Sequence, residues 1–97
     1  MTLLTIICEA LLKEKILDLV RSKGASGFSV ANVIGEGSRG NHSAEWEGPS
    51  ARIETIVQLE TADTILEELS AGYFENYSVI AWKAEVEVLR VGKFNSP

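Results

Sequence analysis

The stretch LLTIICEALLKEKILDLVRSKGASGFSVANV, residues 3–33, decides the fold, because it holds one complete strand, helix, strand unit. Residues 3–8 form a short, almost unbroken apolar run, the pattern of a central strand covered on both faces. From 11 to 23 the apolar residues Leu11, Leu12, Ile16, Leu19 and Val20 recur at helical spacing, with Lys13, Glu14, Lys15, Asp18 and Arg21 on the other side. Arg21 and Lys23 fall in the last turn, where cations complement the helix carbonyls, and Gly24 supplies the stop. Residues 27–33 read as a second strand, with Phe28 and Val30 facing one way and Ser29 and Ala31 the other.

The plan then repeats. Ile53, Thr55, Val57 and Leu59 alternate with Arg52, Glu54, Gln58 and Glu60, a strand with one wet face broken by Ile56. Thr61 is a suitable N-cap for a second helix whose Ala62, Ile65, Leu66, Leu69 and Tyr73 form an apolar stripe. A last strand places Ile80, Trp82, Ala84, Val86 and Val88 on one face and Lys83, Glu85 and Glu87 on the other. The order βαβ, loop, βαβ predicts an α+β, ferredoxin-like βαββαβ sandwich: both helices on one face of a four-stranded antiparallel sheet. The second face is left open, and packing it against further copies of the chain is the economical way to cover it.

Ninety-seven residues at 45% hydrophobic support a single domain, residues 1–97, and no second core. A net charge of −5 with scattered lysines and arginines offers no stripe for a phosphate backbone, so nucleic acid is not an expected partner. No apolar run approaches the ~18 residues of a membrane span, and no basic segment precedes the apolar start. The sequence therefore predicts a soluble cytoplasmic chain without direct membrane insertion. One cysteine, Cys8, excludes an internal disulfide and reads as a small buried hydrophobe.

Residues 35–51 carry neither a helical nor a strand period, which is long for a connection in a compact domain and points to function. Trp46 in this polar stretch asks for a partner to cover it. Gly35-x-Gly37-x-x-Gly40 matches a dinucleotide fingerprint by letter, but no amphipathic helix follows to present its N-terminus. What survives is narrower. The glycines allow close backbone approach and an anion nest, to which Ser38 and Arg39 add a hydroxyl and a guanidinium. Arg90, Gly92 and Lys93 offer a second cationic segment, able to complete a phosphate site if a neighbouring subunit brings them together. Catalysis finds no support in His42, the one histidine, which has no nucleophile at an assignable spacing, and no metal set emerges.

The Gly37-Ser38-Arg39 opening after the second strand, the Tyr73-Phe74-Glu75-Asn76-Tyr77 turn after the second helix, and the terminal Arg90-Val91-Gly92-Lys93-Phe94 resemble the PII-like signalling proteins over essentially the whole chain. The resemblance is nearest to the SbtB-type carbon-control regulators of cyanobacteria. It implies a homotrimer with an adenine nucleotide (AMP, ADP, ATP or cAMP) in each cleft between subunits, Mg or Ca being the accompanying ion for ATP. By motif position, Gly35, Gly37, Ser38 and Arg39 line the phosphate and ribose side, Arg90, Gly92 and Lys93 complete it, and Tyr77 lies in a turn near the same cleft. Residues 35–51 correspond to the T-loop, with Glu36, His42, Glu45 and Trp46 as its partner-contacting residues. The implied partner is a sodium-dependent bicarbonate transporter, reached reversibly at the membrane. Glu36 and His42 stand where family members often carry basic residues, which lowers the positive charge near the phosphates.

The chain thus reads as a regulatory binding protein rather than an enzyme. Three alternatives remain: a carboxysome-associated PII-like sensor of ADP or AMP and bicarbonate, a weak ATP- or ADP-hydrolysing enzyme, and a copper-tolerance protein of the CutA type. Cys8 and His42 are too few soft ligands for the last.

Overall fold

The structure, a computed structural model, describes residues 1–34 and 49–90. Strand β1 spans Thr2–Glu9, and a 3-10 turn, Ala10–Leu12, leads into helix α1, Lys13–Ser22. Strand β2 is Ser29–Val33 and β3 is Ser50–Val57. Helix α2 runs Leu59–Gly72, and β4 is Val79–Glu85. The strands form one sheet in the order β2-β3-β1-β4, with every neighbouring pair antiparallel. This is the expected βαββαβ order, and β1 is the central strand that its apolar run announced.

The register sorts the side chains. Leu4 pairs with Thr55, Ile6 lies between Ile53 and Ala81, and Cys8 lies between Ala51 and Val79, so these residues share one face. Both helices cover that face: Ile16, Leu17 and Val20 of α1 and Ala62, Ile65 and Leu69 of α2 join Leu4, Ile6, Cys8 and Ile53 in one buried cluster. The other face carries Leu3, Thr5, Ile7, Arg52, Glu54, Ile56, Ile80 and Trp82. No element among the described residues lies over it, and Ile80 is 49% exposed and Trp82 41%. An uncovered sheet face of this composition is the surface to bury in an assembly.

Several details depart from expectation. Leu11, expected on the apolar stripe, is solvent-exposed, while Leu17, which that stripe does not include, is buried. The 3-10 turn advances about 120° per residue rather than the 100° of an α-helix, so Leu11 is out of phase with the stripe that starts at Leu12. Thr61 does not cap α2. The strand ladder stops at Val57 because its partner Thr2 opens β1, the backbone turns at Gln58, and the Ala62 N–H donates to the Gln58 carbonyl at 3.1 Å. Gln58 is therefore the N-cap residue, and Leu59, expected in the strand, opens the helix half-exposed. Gly27 and Phe28 precede β2 rather than belonging to it. There the Gly27 carbonyl accepts a bond from Thr55 Oγ1 at 2.5 Å. At the other boundary β3 already includes Ser50 and Ala51, the last two residues of the expected loop.

Helix α1 ends as its sequence predicts. Gly24 has φ +104°, the Ala25 N–H donates to the Val20 carbonyl at 3.3 Å, and the Gly24 N–H donates to the Arg21 carbonyl at 3.1 Å. This pair of bonds is the Schellman arrangement, and it turns the chain back toward β2.

Candidate functional site

The 35–48 segment leaves the sheet from β2 and returns at β3, so its two ends are fixed by the paired residues Val33 and Ser50. Ser50 also pairs with Glu9, the last residue of β1, which places the loop root beside the end of the central strand. The Ala10 N–H donates to the Pro49 carbonyl at 3.1 Å and ties the returning segment to the start of the 3-10 turn. On the far side of β1 the turn between α2 and β4 arrives at the same end of the sheet, since Cys8 pairs with Val79.

That turn presents Tyr77, 47% exposed, with its ring centroid 5.7 Å from that of Tyr73. Its backbone is closed by bonds from the Tyr77 N–H to the Tyr73 carbonyl at 3.0 Å and from the Val79 N–H to the Tyr77 carbonyl at 3.0 Å. The Ser78 N–H donates to Glu9 Oε2 at 2.9 Å, so a side chain from β1 holds the turn in place. Tyr77 is thereby brought to the loop-root end of the molecule.

Arg90 lies elsewhere. The chain leaves β4 at the opposite end of the sheet, where Glu85 pairs with Thr2 and the Val86 N–H donates to the Met1 carbonyl at 2.9 Å, and Arg90 follows exposed. The eight-residue strand β3 sets the two ends about 23 Å apart at ~3.3 Å per residue. Of the sequence-predicted residues, Tyr77 and Arg90 are described. Gly35, Glu36, Gly37, Ser38, Arg39, His42, Glu45, Trp46, Gly92 and Lys93 lie outside the described residues.

Toward the Arg90 end a cleft of about 350 Å³ opens beside β2, lined by Leu3, Gly27, Phe28, Ser29, Glu54 and Ile56 among others. The cleft is half open to solvent, with the Ser29 hydroxyl and the Glu54 carboxylate among a mostly apolar lining. Glu54 is held from the sheet: Thr5 Oγ1 donates to its Oε2 at 3.2 Å, as does the Arg52 guanidinium at 3.2 Å. Thr5, wholly buried at the centre of the open face, has its hydroxyl satisfied by this bond. The Arg21 guanidinium lies 5.0 Å from the centroid of the Phe28 ring. The cleft has no signature in the sequence, because its residues come from three strands and carry no local motif.

Cys8 is buried in the core, and burial pushes its thiol from the ordinary 9.0 up to about 11. The Glu9 carboxylate adds to the rise and the Lys13 ammonium opposes it. Between these two values the folded chain retains a proton that the unfolded chain has released. Stability should therefore fall as pH rises from about 9 to about 11, by roughly 1.4 kcal/mol per unit from this group. The Cys8→Ala variant should lose that component of the alkaline slope in chemical denaturation, and parallel slopes for the two proteins would remove it.

Among the described residues no group of histidine, cysteine, aspartate and glutamate side chains is arranged to hold a metal ion. No helix among them is long and apolar enough to cross a membrane.

A small split βαβ sandwich with a long insertion between its second and third strands, and with one face of its sheet uncovered, defines the PII-like class of fold. Residues 1–93 match the sequence profile of the nitrogen regulatory protein P-II family, and the chain belongs to that family. It is similar to a PII-like signalling protein of Thermus thermophilus, with 43% identity over 96% of this chain and 93% of the other and a TM-score of 0.81. It is also similar to CPII from Thiomonas intermedia. The CPII structure bound to ADP, AMP and acetate matches with 27% identity over 96% of this chain and 92% of the other, at a TM-score of 0.81. The CPII structure bound to ADP and bicarbonate matches with 28% identity over 97% and 93%, at a TM-score of 0.81.

Proposed function

We propose that the chain forms a homotrimer that binds an adenine nucleotide in each cleft between subunits and signals through residues 35–51. The observation that carries this reading is the placement of the two halves of the candidate site. The loop root and Tyr77 lie at one end of the sheet, and the 350 Å³ cleft and the chain leading to Arg90 lie at the other. In the proposed trimer a neighbouring subunit brings the second half against the first. The uncovered face with Leu3, Ile7, Ile56, Ile80 and Trp82 supplies the apolar surface that such an arrangement buries. In this assembly Gly35, Gly37, Ser38 and Arg39 of one subunit, with Tyr77, face Arg90, Gly92 and Lys93 of another across the phosphates.

The nearness to SbtB-type regulators, a cytoplasmic site of action and a membrane bicarbonate transporter as the partner of Glu36, His42, Glu45 and Trp46 belong to this same proposal. A second reading is favoured by the CPII structures bound to ADP, AMP and bicarbonate: a direct sensor of ADP or AMP and bicarbonate. Calorimetric titration with AMP, ADP, ATP and cAMP, with and without bicarbonate, separates the two. Bicarbonate that tightens ADP binding supports the second reading, and indifference to bicarbonate supports the first.

Arg39→Ala should weaken binding of the phosphorylated ligands by roughly 1.5–3 kcal/mol, the range for hydrogen bonds to charged groups. An unaltered affinity would place the phosphates elsewhere.

A further inference from the structure

The dipeptide Glu9-Ala10 at the end of β1 holds two separate segments. Through its backbone it holds the returning end of the long loop, by the 3.1 Å bond from the Ala10 N–H to the Pro49 carbonyl. Through its side chain it holds the α2–β4 turn, by the 2.9 Å bond from the Ser78 N–H to Glu9 Oε2. These two segments flank β1 on opposite sides, since β3 and β4 are its two neighbours in the sheet. Ser78 directly follows Tyr77, and the bond is part-buried, so the carboxylate fixes the backbone that carries the tyrosine.

From this geometry we infer that Glu9 is a positioning residue: its carboxylate sets the place of Tyr77 relative to the loop root, and so sets nucleotide affinity without touching the nucleotide. The inference rests on the nucleotide-binding reading above. Both bonds end on the Glu9-Ala10 dipeptide, so the segment at Pro49 and the tyrosine turn share one support. The side chain needs reach more than charge. Glutamine retains an oxygen at the same distance from the backbone, whereas aspartate keeps the charge on a side chain one methylene shorter.

The test is a set of five variants of the full chain, three at Glu9, Tyr77→Phe and one double, titrated with ADP, with exchange of the Ser78 amide read by NMR. Glu9→Ala and Glu9→Asp should each lose roughly tenfold in ADP affinity, the effect of one lost hydrogen bond, and expose the Ser78 amide to exchange. Glu9→Gln should restore both. Tyr77→Phe combined with Glu9→Ala should cost less than the sum of the single changes, because the two act through one turn. Wild-type affinity in Glu9→Ala, or rescue by aspartate and not by glutamine, overturns the inference and leaves the nucleotide site standing. A wild-type chain that binds no adenine nucleotide overturns both. Should Glu9→Ala fail to fold, the comparison of aspartate with glutamine still decides.

Discussion

Trp82→Glu should turn the assembled protein into monomers that keep their secondary structure and lose adenine-nucleotide binding by more than about a hundredfold. Trp82 lies beside Thr5 in the register, in the row Ser29, Glu54, Thr5, Trp82 that crosses all four strands of the open face. In a single chain the residue is 41% exposed, so a carboxylate there remains in water and the fold tolerates it. Covered by another subunit, the same carboxylate is buried, with Glu54 two strands away and no added cation. Leaving one charge buried and unpaired costs about 3–5 kcal/mol, and a trimer repeats that cost at each interface. Sedimentation velocity and far-UV circular dichroism check the first part, and titration with ADP the second. A variant that stays trimeric and binds ADP normally would mean that the open face is not the seam.

Ile6→Ala should cost the protein about 2–5 kcal/mol, the range for truncating a fully buried aliphatic side chain. Ile6 is fully buried between Ile53 and Ala81, under both helices. A small domain has only about 5–15 kcal/mol in total, so this loss lowers the melting temperature by some 10 °C or more. Ile7 is the informative comparison. It points to the open face, between Arg52 and Ile80, and is only partly buried within the chain. Ile7→Ala should leave the folding of a monomer almost unchanged and weaken the trimer, seen as a melting temperature that depends more steeply on protein concentration. Equal effects of the two truncations at every concentration would contradict the assignment of faces.

The sheet is legible in the sequence because its central strand is written as an apolar run and its helices as 3.6-residue stripes. Ile16, Val20, Ala62, Ile65 and Leu69 need only spacing to be placed in the core. The misreadings have local causes. Leu11 falls off the stripe because a 3-10 turn shifts its phase without leaving a mark in composition. Side-chain chemistry favours Thr61 as the cap of α2, whereas the length of β1 decides where the strand stops. The site is harder to read, since its parts meet only after folding. Glu9 and Ser78 stand 69 positions apart, and neither belongs to a motif. The cleft beside Phe28 is assembled from the start of β1, the segment before β2 and the middle of β3. Arg39 and Lys93 stand out by chemistry and by family likeness, and no periodic pattern marks them.

Val33 and Ser50 face each other as the last pair of a ladder, so the long insertion begins and ends one strand spacing apart. The closure entropy of such an insertion grows only logarithmically with its length, about 0.6 kcal/mol for each doubling. Residues can thus be added, removed or exchanged between these two posts while the sheet underneath hardly registers the change. Under the proposed reading Gly35, Gly37, Ser38 and Arg39 stand at the front of that stretch, so descendants of this scaffold would acquire new clients by rewriting the remainder of it.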